Sequence, residues 1–174
     1  SINKLTGYKK KYAKEKVFLE KKFKELAIKN YNVSIARCYT FIGKDIIQYN
    51  FAISDLINDA NNMTTITLNS SIDVYRSYMH SDDASNWLIN ILKNSNSKCP
   101  IYNVGSNKVI NLKNLTKKIA KITGKKISIK SNKTKKFDYY APSITKARKE
   151  LNLEISINLN DALNSIIKTL NDKN

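Results

Sequence analysis

An α/β fold is what this sequence predicts, and three observations carry the prediction. Short runs rich in β-branched residues, such as 64–68 (TTITL) and 126–130 (KISIK), alternate with stretches whose apolar residues recur every three to four positions. Asparagine or glycine stands where helical stretches should stop, at Asn30, Gly124 and Asn152. No apolar run approaches the roughly 20 residues of a membrane span, and no internal repeat points to a solenoid.

Taken in order, 8–29 reads as a long amphipathic helix. Val17, Phe18, Phe23, Leu26 and Ala27 form its apolar stripe among lysines and glutamates. Residues 32–37 (NVSIAR) are a short strand, and TFIGKD is a loop around Gly43. A helix over 51–60 and a strand over 64–68 follow. RSYMHSDDASNWLINILKN is a short strand turning into a helix, which Ser81, Asp82 or Asp83 is placed to cap. Residues 100–105 (PIYNVG) are a strand, NLKNLTKKIAKITG a helix, and 126–130 a strand. SITKARKELN and NLNDALNSIIKTLND are two closing helices, the second with Asn158 or Asn160 as its cap.

The net charge of +17 and pI near 9.8 direct attention to polyanions. Composition offers a plainer account. Lys, Asn and Ile together supply 74 of the 174 residues, whereas Arg supplies 3. These are the residues of A/T-rich codons. A surface that reads phosphates favours the planar fork of arginine, and the lysines here are scattered. Neither nucleic acid nor a membrane is therefore an expected partner, although a basic nucleic-acid binder stays as a minor alternative. Cys38 and Cys99 form no CxxC, and with His80 as the one histidine there is no zinc set. A reduced, cytoplasmic protein without a metal is expected.

Tyr12 and Lys16 stand four apart, which on a helix places a phenol and an ammonium on one face. A free tyrosine has a pKa of about 10, and a neighbouring cation stabilises a phenolate. Such a pair can move a proton to or from a sugar hydroxyl. Alone the spacing means little, because a chain with ten tyrosines and this many lysines reaches one such pair by chance.

Order gives it weight. After Tyr12-x-x-x-Lys16, with Glu20 four further on, come VSIARCYTFIG, YRSYMHSDDASNWL, PIYNVGSNKVINLKNLTKKIAKITG and YYAPSITKARKELNL. This succession resembles the C-terminal half of the extended short-chain dehydrogenase/reductase family, the NAD-dependent nucleotide-sugar epimerases and dehydratases. Members typically read Tyr-x-x-x-Lys, Arg-x-Phe-Asn-x-x-Gly, Arg-Asp/Ser-aromatic-x-His-x-x-Asp, Tyr-Asn-x-Gly and Ala-Arg-x-x-Leu-Gly. The resemblance covers nearly the whole chain. It implies the C-terminal part of a Rossmann-like parallel sheet, over about 1–48 and 98–105. A small α/β substrate-binding lobe would occupy about 49–97 and 106–174.

The resemblance implies an NAD(P)-dependent epimerase, dehydratase or reductase acting on a nucleotide-activated sugar, homodimeric when full length. Tyr12 would be the acid/base, and Lys16 would hold the cofactor ribose and tune Tyr12. Tyr39 would lie against the nicotinamide end. Thr40, Asn50 and Phe51 would meet the nucleotide-sugar, and Arg76 would grip its diphosphate with its fork of donors. His80 and Asp83 would be structural, Asp83 as a helix cap.

Departures from the pattern are Thr40 for an asparagine, Lys44 for a proline, NSSID at 69–73 for a glycine-containing turn, and Asn152 for a glycine. NKTKKF offers Lys133, Lys135 and Lys136 where relatives often carry a phosphate-binding arginine. The glycines at 7, 43, 105 and 124 form no GxGxxG, so the pyrophosphate-cradling turn and the catalytic Ser or Thr would lie upstream of Ser1. The chain is thus expected to be the C-terminal half of an enzyme, weak in NAD binding by itself. The alternative is a catalytically silent fragment that keeps a sugar-nucleotide-binding lobe.

Overall fold

The computed structural model describes residues 6–44, 51–130 and 136–171, and the fold is α/β, as expected. Two compact units divide the chain: residues 1–37 with 88–102, and residues 38–87 with 103–174.

In the first unit, α1 (Gly7–Ile28) ends where Asn30 takes a left-handed φ of 63°, a conformation asparagine tolerates. β1 (Ile35–Cys38) pairs with β6 (Ile101–Val104), and Ile35 N–H donates to the Pro100 carbonyl. The core is small: Ala27, Ile35 and Cys99, with Val33 and Ile101 against them. The apolar stripe of α1 departs from expectation. Ala27 is buried, but Val17, Phe18, Phe23 and Leu26 remain 40–57% exposed. Helical periodicity specifies which residues share a face and says nothing of what covers that face.

Arg37 Nε and one of its terminal nitrogens each donate at 2.7 Å to the two carboxylate oxygens of Glu20, joining α1 to β1. The Arg37 hydrogen bond is the main reason that the Glu20 carboxyl is held below its ordinary value of 4.5. A lowered carboxylate pKa adds stability above the ordinary value, and that stability is lost as pH falls through the lowered one. Glu20→Gln should therefore cost about 1 kcal/mol at pH 7, small because the arginine is half exposed. Urea denaturation should show the deficit shrinking as pH falls below 4.5. A deficit independent of pH would remove the ion pair from the account.

The second unit holds the larger core. In α2 (Ala52–Asn62), Ile53, Leu56, Ile57 and Ala60 repeat at helical spacing and are buried. In α4 (Leu112–Thr123), Leu112, Leu115, Thr116 and Ile119 do the same. The Asn111 side chain accepts from Lys113 N–H at the start of α4, and Gly124, with φ of 68°, closes it. These faces pack with α6 (Leu159–Asn171), which Asn158 caps by accepting from the backbones of Asn160 and Asp161. β3 (Thr65–Asn69) pairs in parallel with β8 (Lys126–Lys130), and Ile66 and Leu68 point into the core. α5 (Thr145–Leu151) ends on Asn152 at φ of 50°.

Three strands appear where the sequence reading has none: Phe41–Ile42, Val109–Asn111 and Phe137–Tyr140. Phe41–Ile42 (β2), read as part of a loop, pairs in parallel with Met79–His80 (β5). β4 (Asp73–Ser77) lies between β7 (Val109–Asn111), antiparallel, and β9 (Phe137–Tyr140), parallel. Each is short, and long-range pairing rather than local pattern makes it a strand.

α3 (Ser81–Lys93) begins differently from the reading as well. His80 Nδ1 accepts the backbone N–H of Asp82 at 3.2 Å and so serves the helix start. Asp83, 3% exposed, does not cap its own helix: its carboxylate accepts from the backbones of Ser156 and Ile157 and from the Ser156 hydroxyl.

Among the described residues no helix is long and apolar enough to cross a membrane, and no group of His, Cys, Asp or Glu is placed to hold a metal ion.

Candidate functional site

Each unit carries part of the set that the sequence singles out. In the first, α1 presents Tyr12 and Lys16 one turn apart. The Lys16 ammonium lies 5.3 Å from the centroid of the Tyr12 ring, within the range of a cation–π contact. Tyr8, one turn earlier, stacks on Tyr12 at 6.4 Å. The Tyr12 side chain is 51% exposed. The phenol is therefore open to a partner, with an ammonium held against its ring.

In the second unit, Tyr39 and Thr40 follow β1. Tyr39 is half-buried, and its ring stacks on Tyr140 of β9 with centroids 4.8 Å apart. The Thr40 carbonyl accepts from Met79 N–H, fixing the entry to β2. Gly105, directly after β6, lets the chain pass closely. A Cβ there would lie 3.0 Å from both Pro142 Cγ and Tyr39 Cβ, closer than side chains pack. Phe51 stands at the start of α2, 53% exposed, so it is not a core residue. Asn50 lies outside the described residues.

Arg76, on β4, is held from three sides. One terminal nitrogen donates to the Tyr75 and Asp138 carbonyls at 2.9 and 3.3 Å; the other donates to the Asp138 carboxylate at 2.6 Å. Its guanidinium carbon lies 6.0 Å from the centroid of the Tyr140 ring. Asp138, Arg76, Tyr140 and Tyr39 thus form a continuous wall of ion pair and stacked rings. Sequence reasoning had Arg76 and Tyr39 and missed Asp138 and Tyr140. The one signal available was the pair of tyrosines before Ala141-Pro142, on a segment with no strand-like alternation.

Tyr78, two residues beyond Arg76, is 6% exposed, and burial pushes its hydroxyl up to about 12, so it stays a neutral phenol. It borders a cavity of about 450 Å³ that includes Ser106, Lys108 and Lys118.

No family model and no curated protein matches the chain. Solved structures do. The chain is similar to RMD from Pseudomonas aeruginosa complexed with NADPH, at 18% identity and a TM-score of 0.79, over 94% of this chain and 56% of that one. It is similar to dTDP-glucose 4,6-dehydratase from Bacillus anthracis in complex with NAD, at 20% identity and a TM-score of 0.67, over 82% and 45%. It is similar to UDP-glucose 4-epimerase from Thermotoga maritima with UDP-glucose, at 15% identity and a TM-score of 0.69, over 82% and 47%. Over the matched part the chain shares the Rossmann-like α/β fold of these structures, and it spans about half the length of each.

Proposed function

We propose that this chain is part of a nicotinamide-dependent enzyme acting on a nucleotide-activated sugar, as an epimerase, a dehydratase or a reductase. The observation that carries the reading is the fold shared with a UDP-glucose 4-epimerase and a dTDP-glucose 4,6-dehydratase, each over 82% of the chain. The Tyr12–Lys16 pair supports it from within the chain, since the ammonium sits against the phenol ring.

In this reading Tyr12 Oη passes a proton to or from a sugar hydroxyl. Lys16, with Tyr12, would hold the cofactor ribose, and Tyr39 would stand at the nicotinamide end. A phenol and an ammonium on one helix face are a donor set suited to a ribose diol, whereas the four glycines supply no turn for the pyrophosphate. The nicotinamide, when bound, supplies oxidation and reduction of the sugar carbon. Thr40, Asn50 and Phe51 meet the nucleotide-sugar, and Arg76 binds its diphosphate. Residues 1–48 and 98–105 belong to the cofactor part and the rest to the substrate lobe of a homodimeric enzyme. Two cysteines that form no disulfide with each other, one of them exposed, favour a reducing cytoplasm.

Thermal unfolding with UDP-glucose, dTDP-glucose and CDP-glucose tests the reading. At a free concentration about 100 times Kd, a ligand adds about 2.7 kcal/mol, which raises Tm by roughly 5–10 °C for a chain of this size. At least one of the three should do so. No shift with any, beside salt-sensitive retention on DNA, would replace the proposal with a polyanion binder.

A further inference from the structure

The guanidinium proposed to bind the substrate diphosphate already holds an anion. Asp138 Oδ2 lies 2.6 Å from a terminal nitrogen of Arg76. The Asp138 side chain is 46% exposed, and among the described residues its carboxylate accepts from the Arg76 side chain alone. Three of the five arginine donor hydrogens are engaged: two by the Tyr75 and Asp138 carbonyls, and one by the Asp138 carboxylate. A carboxylate beside the donors repels an incoming diphosphate as well as competing for the fork.

We infer that Asp138 is an internal stand-in for the substrate diphosphate: it occupies Arg76 in the free chain and swings into solvent when a nucleoside diphosphate binds. This rests on the proposed role of Arg76. The main-chain bonds make the exchange possible without losing the arginine's aim. With the carboxylate gone, Arg76 keeps its bonds to two backbone carbonyls and its place over the Tyr140 ring, which in turn stacks on Tyr39. An ion pair this exposed contributes little and is readily replaced, whereas a diphosphate offers the fork two oxygens and more charge. Asp138 thereby sets a threshold: monoanionic or uncharged ligands do not displace it, and a diphosphate does.

The test is calorimetric titration of UDP into the wild-type chain and into Asp138→Asn, Arg76→Gln and the double variant. Asp138→Asn should bind UDP roughly three- to tenfold more tightly than wild type, as expected for removal of an exposed competing charge. Arg76→Gln should weaken binding, and adding Asp138→Asn to it should restore nothing. If UDP binds wild type and Arg76→Gln weakens it, yet Asp138→Asn binds equally or less tightly, the stand-in role is overturned while the diphosphate reading survives. If wild type does not bind UDP, or Arg76→Gln binds as well as wild type, the diphosphate reading falls and takes the stand-in with it. Should Asp138→Asn fold poorly, the UDP complex of the wild-type chain decides: Asp138 still bonded to Arg76 overturns the inference, and a separation beyond ion-pair distance supports it.

Discussion

Under the proposed function, Tyr12→Phe is expected to remove most turnover, a loss of about 10²–10⁴ in kcat, while nucleotide-sugar affinity changes little. The substitution deletes one hydroxyl and keeps the ring on which Lys16 and Tyr8 rest. Its effect on folding should be small, because the side chain is 51% exposed and lies on a helix whose neighbouring turns are also exposed. A large loss in kcat with an unchanged dissociation constant would mark an interaction made with the reacting proton rather than with the bound substrate. Steady-state turnover alongside calorimetric binding separates the two. Turnover within a few-fold of wild type would remove Tyr12 from the chemistry and reduce the Tyr12–Lys16 pair to a surface contact. Equal losses in turnover and binding would point instead to a misfolded or mispositioned helix.

The elements and residues that sequence reading recovered share a physical property: their determinants are local. α4 was legible because Leu112, Leu115, Thr116 and Ile119 fall on one face and Gly124 stops the helix within the same short stretch. Tyr12 and Lys16 were legible because their spacing within one helix already fixes that they meet. β9 was not. Phe137 and Tyr139–Tyr140 are exposed, so the strand lacks inward and outward alternation, and it exists through its pairing with β4. The Asp138–Arg76 ion pair joins residues 62 apart, and the Tyr39–Tyr140 stack joins residues farther apart still. No periodicity reports such contacts. Asp83 shows the same limit from the other side. An aspartate in the first turn of a helix has a local rationale as a cap, and the tertiary partner at Ser156 and Ile157 overrides it.

That override supplies the larger stability effect. Asp83→Ala is expected to cost the chain about 3 kcal/mol, because it leaves two main-chain N–H groups and a hydroxyl without their acceptor at a buried site. Asp83 is 3% exposed; its carboxylate accepts Ser156 N–H at 3.2 Å, Ile157 N–H at 3.0 Å and the Ser156 hydroxyl. One turn later Trp87, 1% exposed, donates its indole N–H to the Glu154 carbonyl at 3.0 Å. The two side chains hold residues 154–157, and Asn158, next along, starts α6. Loss of Asp83 should therefore loosen a hinge that the α6 core face depends on, whereas Asp82→Ala, with a side chain 72% exposed, should change stability by less than about 0.5 kcal/mol. Urea denaturation gives the two values, and amide exchange locates the damage: protection at Ser156 and Ile157 should collapse in Asp83→Ala. A variant with wild-type stability and intact protection there would show that the backbone of 154–157 is held by its own turn, and that the carboxylate follows the loop rather than fixing it.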